Sequence, residues 1–254
     1  MTDLVTRLRA AGCVFAEDEA ELLSSAAPDP ATLESMVARR VSGVPLEHVL
    51  GFADFAGVRL AVTEGVFVPR HRTELLTTTA RGLLHPGATV LDLCCGTGAL
   101  GLVTVRDVPG VRLVAADIDP AAVACARTNL TGVSSEVFCG DLFDPLPPDL
   151  RGRVDVLLAN VPYVPTAEIA YLPEEFRVHE ARAALDGGED GLDVFRRVAA
   201  EAPHWLAPGG VLLCEAAPDQ LEAAHKALRG AGLTPSTITD EDTETTVVLG
   251  GAPR

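Results

Sequence analysis

The sequence has no C-x-x-C pair, no H-x-x-x-H spacing, no apolar run as long as a membrane span, and little positive charge. Its six cysteines (Cys13, Cys94, Cys95, Cys125, Cys139 and Cys214) are scattered, which argues against structural zinc and against a disulfide framework. The histidines lack ligand spacing, so no metal is expected. The ~18 consecutive apolar residues of a membrane helix are missing. The opening MTDLVTRLRAAG lacks the apolar stretch of a signal peptide. The expectation is a cytoplasmic protein with reduced thiols. Lys+Arg number 20 against 36 Asp+Glu, a formal net charge of -16. That excess repels phosphate backbones and anionic lipid, so neither direct nucleic-acid binding nor membrane binding is expected.

What is present is enough apolar material for a core: 48% of 254 residues, which suits one α/β domain with a small appendage. Leu4 and Leu8, then Ala20 and Leu23, then Leu33, Met36 and Val37 recur at helical spacing and predict three short helices. Alternation around Ala56-Gly57 predicts a hairpin over 51–63. Segments 88–94, 111–117, 135–140, 154–160 and 210–216 read as buried strands. Helical stretches fall at 99–107, 120–130, 190–206 and 219–230, and a terminal strand pair follows. This alternation predicts a mostly parallel, Rossmann-like seven-stranded sheet covered on both faces. The expected division is 1–47, a short helical region, and 48–254, hairpin plus sheet domain. Residues 161–188 form a connection of a length usually kept for function.

Gly96-x-Gly98-x-x-Gly101 follows the first parallel strand and opens a helix. Glycines there permit a tight turn, and helix-terminal amides face a ligand. Asp117 ends the next strand, where a carboxylate accepts hydrogen bonds from a ribose diol. Dinucleotides and S-adenosylmethionine both use this corner. Asp92 separates them: a carboxylate at the loop entry repels a pyrophosphate but suits a sulfonium cation. After the third parallel strand, Asp141 is a candidate acceptor for the adenine amino group and Leu142 a cover for the ring. A helix-capping Asp is the competing reading for Asp141.

Strand 154–160 ends in Asn160-Val161-Pro162-Tyr163, beside the expected cofactor. An amide or exocyclic amine is a poor nucleophile because its lone pair is delocalised. A site that alkylates it must hold both N–H groups with acceptors, so that the lone pair faces the methyl donor. The Asn160 side-chain oxygen and the Val161 carbonyl are candidates for those acceptors. Pro162 stiffens the turn, and Tyr163 stacks on the planar group and steadies developing positive charge.

The chain resembles the protein-glutamine N(5)-methyltransferases (HemK/PrmC-like), which modify bacterial release factors and, in a sister branch, a ribosomal protein. The resemblance runs from Gly43 onward, through GVPLEHVLGFADFAGVRLAVTEGVFVPR, DLCCGTGALGL, ADIDPAAVACARTN, GDLFDPLP, NVPY and EARAALDGGEDGL. It implies a class I S-adenosylmethionine-dependent fold. It also implies cofactor contacts at Cys94, Cys95, Gly96, Thr97, Gly98, Asp117, Leu142 and Asn160, with Asn160 to Tyr163 binding the amide. The implied partner is a protein carrying the acceptor glutamine, a translation factor or ribosomal protein. The chain departs from the pattern at Val161, where the family has a proline, at Cys94-Cys95 for Gly-Thr, at Ala181 for proline, and in a shorter N-terminal helical region. NVPY with a short N-terminus resembles an actinobacterial branch whose substrate is unassigned.

Alternatives remain open: methylation of a small-molecule or nucleobase amine, a non-catalytic cofactor binder, or a nicotinamide oxidoreductase. Cys94 and Cys95 read as small loop side chains rather than nucleophiles. His71, between Arg70 and Arg72, is either part of a basic cluster near the site or exposed linker. Glu180 reads equally as a positioner of the acceptor loop or as a surface residue. Trp205 reads as helix-end packing.

Overall fold

The computed structural model describes residues 2–254. The described residues begin with α1 (Thr2–Ala10), α2 (Ala16–Ala26), α3 (Pro30–Val41) and α4 (Leu46–Leu50). Asp29 starts α3: its Oδ1 accepts from the amides of Ala31 and Thr32, both at 2.9 Å, and Pro30 is preset for the first turn. Leu8, Ala16, Ala20, Leu23, Met36, Val37 and Val49 close an apolar cluster of their own. On α2 the inward row is Ala16, Glu19, Ala20 and Leu23, so Glu19 is buried. Arg40 makes this tolerable, with Nε to Glu19 Oε2 at 2.6 Å. The same guanidinium reaches the Val44 carbonyl at 3.2 Å and Glu175 Oε2 at 3.3 Å.

β1 (Phe52–Phe55) and β2 (Val58–Ala61) form the expected antiparallel hairpin. Ala56 and Gly57 turn it with φ of 47° and 73°, both positive as a two-residue turn of this hand requires. A helix absent from the sequence reading, α5 (Glu74–Arg81), precedes the main sheet. Among the described residues that sheet has seven strands: β3 (Thr89–Leu93), β4 (Arg112–Asp117), β5 (Ser135–Cys139), β6 (Val154–Ala159), β7 (Leu206–Glu215), β8 (Thr234–Asp240) and β9 (Thr245–Gly251). Their order is β5-β4-β3-β6-β7-β9-β8; β9 runs antiparallel to both neighbours and the first five are parallel. The Rossmann-like expectation holds, with strand limits within a few residues of those read from the sequence.

The crossovers are α6 (Ala99–Val105), α7 (Pro120–Asn129) and α9 (Asp193–Trp205), while α10 (Leu221–Gly230) leads to the antiparallel pair. One face of the sheet packs Leu91, Leu93 and Leu157 against Phe195 and Trp205. The other packs Val90, Leu113 and Leu158 against Leu76 and Leu100. Burial on both faces explains why these strands read as continuous apolar runs. Trp205 ends α9 at 2% exposure and stacks on Phe143 with centroids 5.4 Å apart.

Strand order reverses between β3 and β6, so a crevice opens outside their carboxyl ends. No helix among the described residues is long and apolar enough to cross a membrane. Gly101 lets α6 pack tightly on the sheet. A Cβ there would meet Asp92 Oδ2 at 2.9 Å and Leu113 Cδ1 at 3.0 Å. Gly101→Ala should therefore destabilise the fold by about 1–3 kcal/mol, measured as a lower urea midpoint with an unchanged m-value.

Candidate active site

A cavity of about 330 Å³ occupies the crevice at the switch point. The loop between β3 and α6 forms its floor. It passes through left-handed backbone at Cys94 (φ 54°), Gly96 (54°) and Gly98 (76°). Glycine takes such values freely; at Cys94 the Cβ makes them costly by about 1–2 kcal/mol. The loop is held by Asp117, whose Oδ2 accepts from the Gly96 amide at 2.8 Å and whose Oδ1 accepts from the Asp119 amide at 2.9 Å. Each oxygen keeps a lone pair for a ligand hydroxyl. Burial pushes the Asp117 carboxyl above its ordinary range, and these two amides oppose the rise.

Asp92 is 1% exposed, and its Oδ2 accepts from the Gly101 amide at 2.9 Å. Burial pushes its pKa up to about 7; the Gly101 amide counteracts this and the Asp117 charge adds to it. It borders the cavity and also serves as an acceptor for the first turn of α6, a role its sequence position did not announce. Cys94 and Cys95 are held neutral, because burial raises both thiols well above their usual range. Uncharged thiols are poor nucleophiles, in keeping with a packing role.

The acceptor loop leaves β6 on the other side of the cavity. Asn160 Oδ1 is buried and has no hydrogen-bond partner. An unpaired buried amide oxygen is costly unless a donor arrives, and Asn160 belongs to the cavity lining. Val161 is 2% exposed and Pro162 is buried. The Tyr163 hydroxyl accepts a hydrogen bond from Arg72 Nη2. Gln220, which the sequence reading missed, clamps this loop: its Nε2 donates to the Tyr163 carbonyl at 2.9 Å and to the Asp190 carbonyl at 3.0 Å. Gly191 fits beside them because a Cβ would lie 2.2 Å from the Tyr163 oxygen.

Residues 161–188 are pinned rather than open. Val164 and Gly187 exchange backbone contacts across the strap, with Gly187 N to Val164 O at 2.9 Å, and Thr166 N reaches Gly188 O at 2.8 Å. The strap carries α8 (Glu174–His179). Glu180, at its end, is buried and not a surface residue, and its partners are Arg70 and the Val68 amide rather than the Asn160–Tyr163 loop. Arg70 Nη2 meets both its oxygens at 2.7 Å, and the Arg70 guanidinium lies 3.9 Å from the Phe176 ring centroid. Arg70, Arg72 and Phe176 line the cavity, whereas His71 is 82% exposed at its side chain and pairs with Glu74.

Of the residues singled out from the sequence, Asp92, Cys94, Cys95, Gly96, Thr97, Asp117 and Asn160 to Tyr163 come together around this cavity. Gly98 sits behind it, where an added Cβ would meet Leu130 at 3.2 Å. Asp141 and Leu142 do not line it. They border a separate open cleft, where Asp141 Oδ2 accepts from Arg197 Nη2 at 2.7 Å and is thereby drawn away.

The Asp92 shift has a stability consequence. The folded state holds its proton more tightly than the unfolded chain. Its contribution is thus fully present below the ordinary pKa of 3.8 and is lost as pH rises to about 7. Asp92→Asn should remove that loss. Relative to the parent, the variant should gain a few kcal/mol, on the order of 1.4 per pKa unit, between pH 4 and 7 in urea unfolding.

A family model described as the methyltransferase small domain matches residues 64–190. The chain is 38% identical over 194 residues to the release factor glutamine methyltransferase of Geobacter sulfurreducens, covering 76% of this chain and 67% of that one. It is 40% identical over 221 residues to the corresponding enzyme of Mycolicibacterium smegmatis, covering 80% and 78%. It is also 36% identical over 214 residues to the 4-amino-L-phenylalanine/4-methylamino-L-phenylalanine methyltransferase of Streptomyces pristinaespiralis, covering 82% and 73%. A solved methyltransferase from Pyrococcus furiosus shares the fold, with a TM-score of 0.60 at 15% identity over 87% of this chain and 100% of that one. The glycine loop, the Asp117 carboxylate and these relatives agree: the chain belongs to the release factor glutamine methyltransferase family of S-adenosylmethionine-dependent enzymes.

Proposed function

We propose that the protein methylates the side-chain amide nitrogen of a glutamine in a protein substrate, a release factor or another translation protein. The observation that carries this reading is the unpaired Oδ1 of Asn160, a residue that borders the cavity. A primary amide brings the N–H donor that this oxygen lacks. A second N–H would go to the Val161 carbonyl, leaving the nitrogen lone pair free. Tyr163 would stack on the amide plane. The cofactor supplies an electrophilic methyl on a sulfonium centre. Its fit rests on the glycine-loop floor and on the two free lone pairs of Asp117, which suit a ribose diol. Ile118, 58% exposed and on the cavity wall, suits covering the adenine ring.

Helices in 1–47 serve as the docking region and 48–254 as the catalytic unit; exposed Val14 (82%) and Phe15 (69%) suit a protein partner. The free cysteines suit the reducing cytoplasm.

A second reading, methylation of a small aromatic amine, is favoured by the Streptomyces pristinaespiralis relative and by the apolar walls at Phe67, Phe176 and Leu185. A nucleobase acceptor is disfavoured by the net charge of -16.

Labelled cofactor offered with release factors and with arylamines, followed by mass spectrometry, separates the readings. Methyl on glutamine supports the first. Methyl confined to an arylamine overturns it, and cofactor binding without transfer to either indicates a non-catalytic binder. Asn160→Ala should abolish transfer while leaving cofactor affinity within a few-fold. Asp117→Ala should weaken cofactor binding by about 1.5–3 kcal/mol in calorimetry, the worth of charge-assisted hydrogen bonds.

A further inference from the structure

Glu215 Oε1 and Thr73 Oγ1 are buried behind the acceptor loop without a hydrogen bond of good geometry, and the Thr73 hydroxyl is the group that eases the Glu215 carboxyl. Glu215 is the last residue of β7 and 5% exposed, and Thr73 is 1% exposed. Because β7 pairs with β6, its carboxyl end stands beside the loop that carries Asn160 to Tyr163. Arg72 and Tyr163 both lie within electrostatic reach of Glu215. The Arg72 guanidinium is 5.8 Å from the Tyr163 ring centroid and donates to its hydroxyl. A buried carboxylate without full pairing is expensive, and an apolar residue would fill the position without that penalty.

The chemistry on the other side of Tyr163 gives the charge a use. In methyl transfer the nitrogen lone pair forms the N–C bond, the S–C pair stays on sulfur, and the surplus N–H proton passes to water. Positive charge therefore appears on nitrogen, next to a ring that already has a guanidinium at its edge. We propose that Glu215 is a positioning residue for methyl transfer, whose buried carboxylate at the end of β7 offsets the Arg72 charge beside the Tyr163 ring. This rests on reading Tyr163 as a wall of the acceptor site.

The groups facing Glu215 are few. Arg72 and Thr73 come from the segment before α5, Tyr163 from the loop after β6, and Cys214 from β7 itself. β9 presents uncharged Val247 across the pair. Burial raises the Glu215 carboxyl, while Thr73 and Arg72 lower it. Burial also raises the Tyr163 phenol; the Glu215 charge and, more weakly, the Cys214 thiol add to the rise, and Arg72 and Arg70 oppose it. The two groups therefore sense each other.

Tyr163 and Tyr171 are the only tyrosines. In a Tyr171→Phe background, ultraviolet titration reads Tyr163 alone and needs no substrate. Glu215→Gln should shift that titration down by about half a pH unit or more. It should lower kcat about tenfold and leave the KM for cofactor unchanged. Glu215→Asp, which keeps the charge, should hold the titration high and recover part of kcat, so the test stands even where Glu215→Gln folds poorly. Combining Glu215→Gln with Arg72→Met should lower kcat by less than the product of the two single effects. A stationary Tyr163 titration alongside normal transfer overturns this inference alone, as does a purely multiplicative double variant. Absence of transfer by the parent overturns the acceptor reading and this inference with it.

Discussion

The site depends on one carboxylate. Asp117 holds the amides of Gly96 and Asp119 at 2.8 and 2.9 Å, and so fixes the floor of the cavity to the end of β4. Without that tether the loop has little reason to keep three residues in left-handed backbone, one of them a cysteine. Anchored, the loop presents backbone and two spare lone pairs to the crevice. The strand order puts β6 alongside β3, so the acceptor loop necessarily faces this floor.

A second layer of polar groups holds the opposite wall. Gln220 binds two carbonyls, Arg70 binds Glu180, and Arg72 binds Tyr163. Each joins segments far apart in sequence; the Arg70–Glu180 pair satisfies a buried carboxylate, and the Arg72–Tyr163 bond lies at the exposed rim. Asn160 Oδ1 stands outside this pairing, as do Glu215 Oε1 and Thr73 Oγ1 behind it, and of the three residues only Asn160 borders the cavity.

Much of this was legible in the sequence because the signals were local. The glycine spacing, the acid about 20 residues on and the apolar runs follow from short-range geometry, and the hairpin turned at Ala56-Gly57 as its alternation required. What escaped was long-range. α5 escaped because residues 74–81 carry three consecutive threonines and no clear apolar run. Gln220 shows nothing until folding brings it under Tyr163. The pairing of Asp141 with Arg197, 56 positions away, is likewise invisible in the local sequence. Asp92 was read as facing a cation, yet one of its oxygens is spent on the first turn of α6.

Arg40 joins three regions of the chain at a single guanidinium: Glu19 of α2, the carbonyl of Val44, and Glu175 on α8. Phe176, next along α8, lies against Arg70 at the rim of the cavity. The entrance to the cavity thus takes part of its shape from helices more than a hundred positions upstream. Transplanting the sheet alone into another framework would carry the reacting groups across but leave behind the scaffold that frames their doorway.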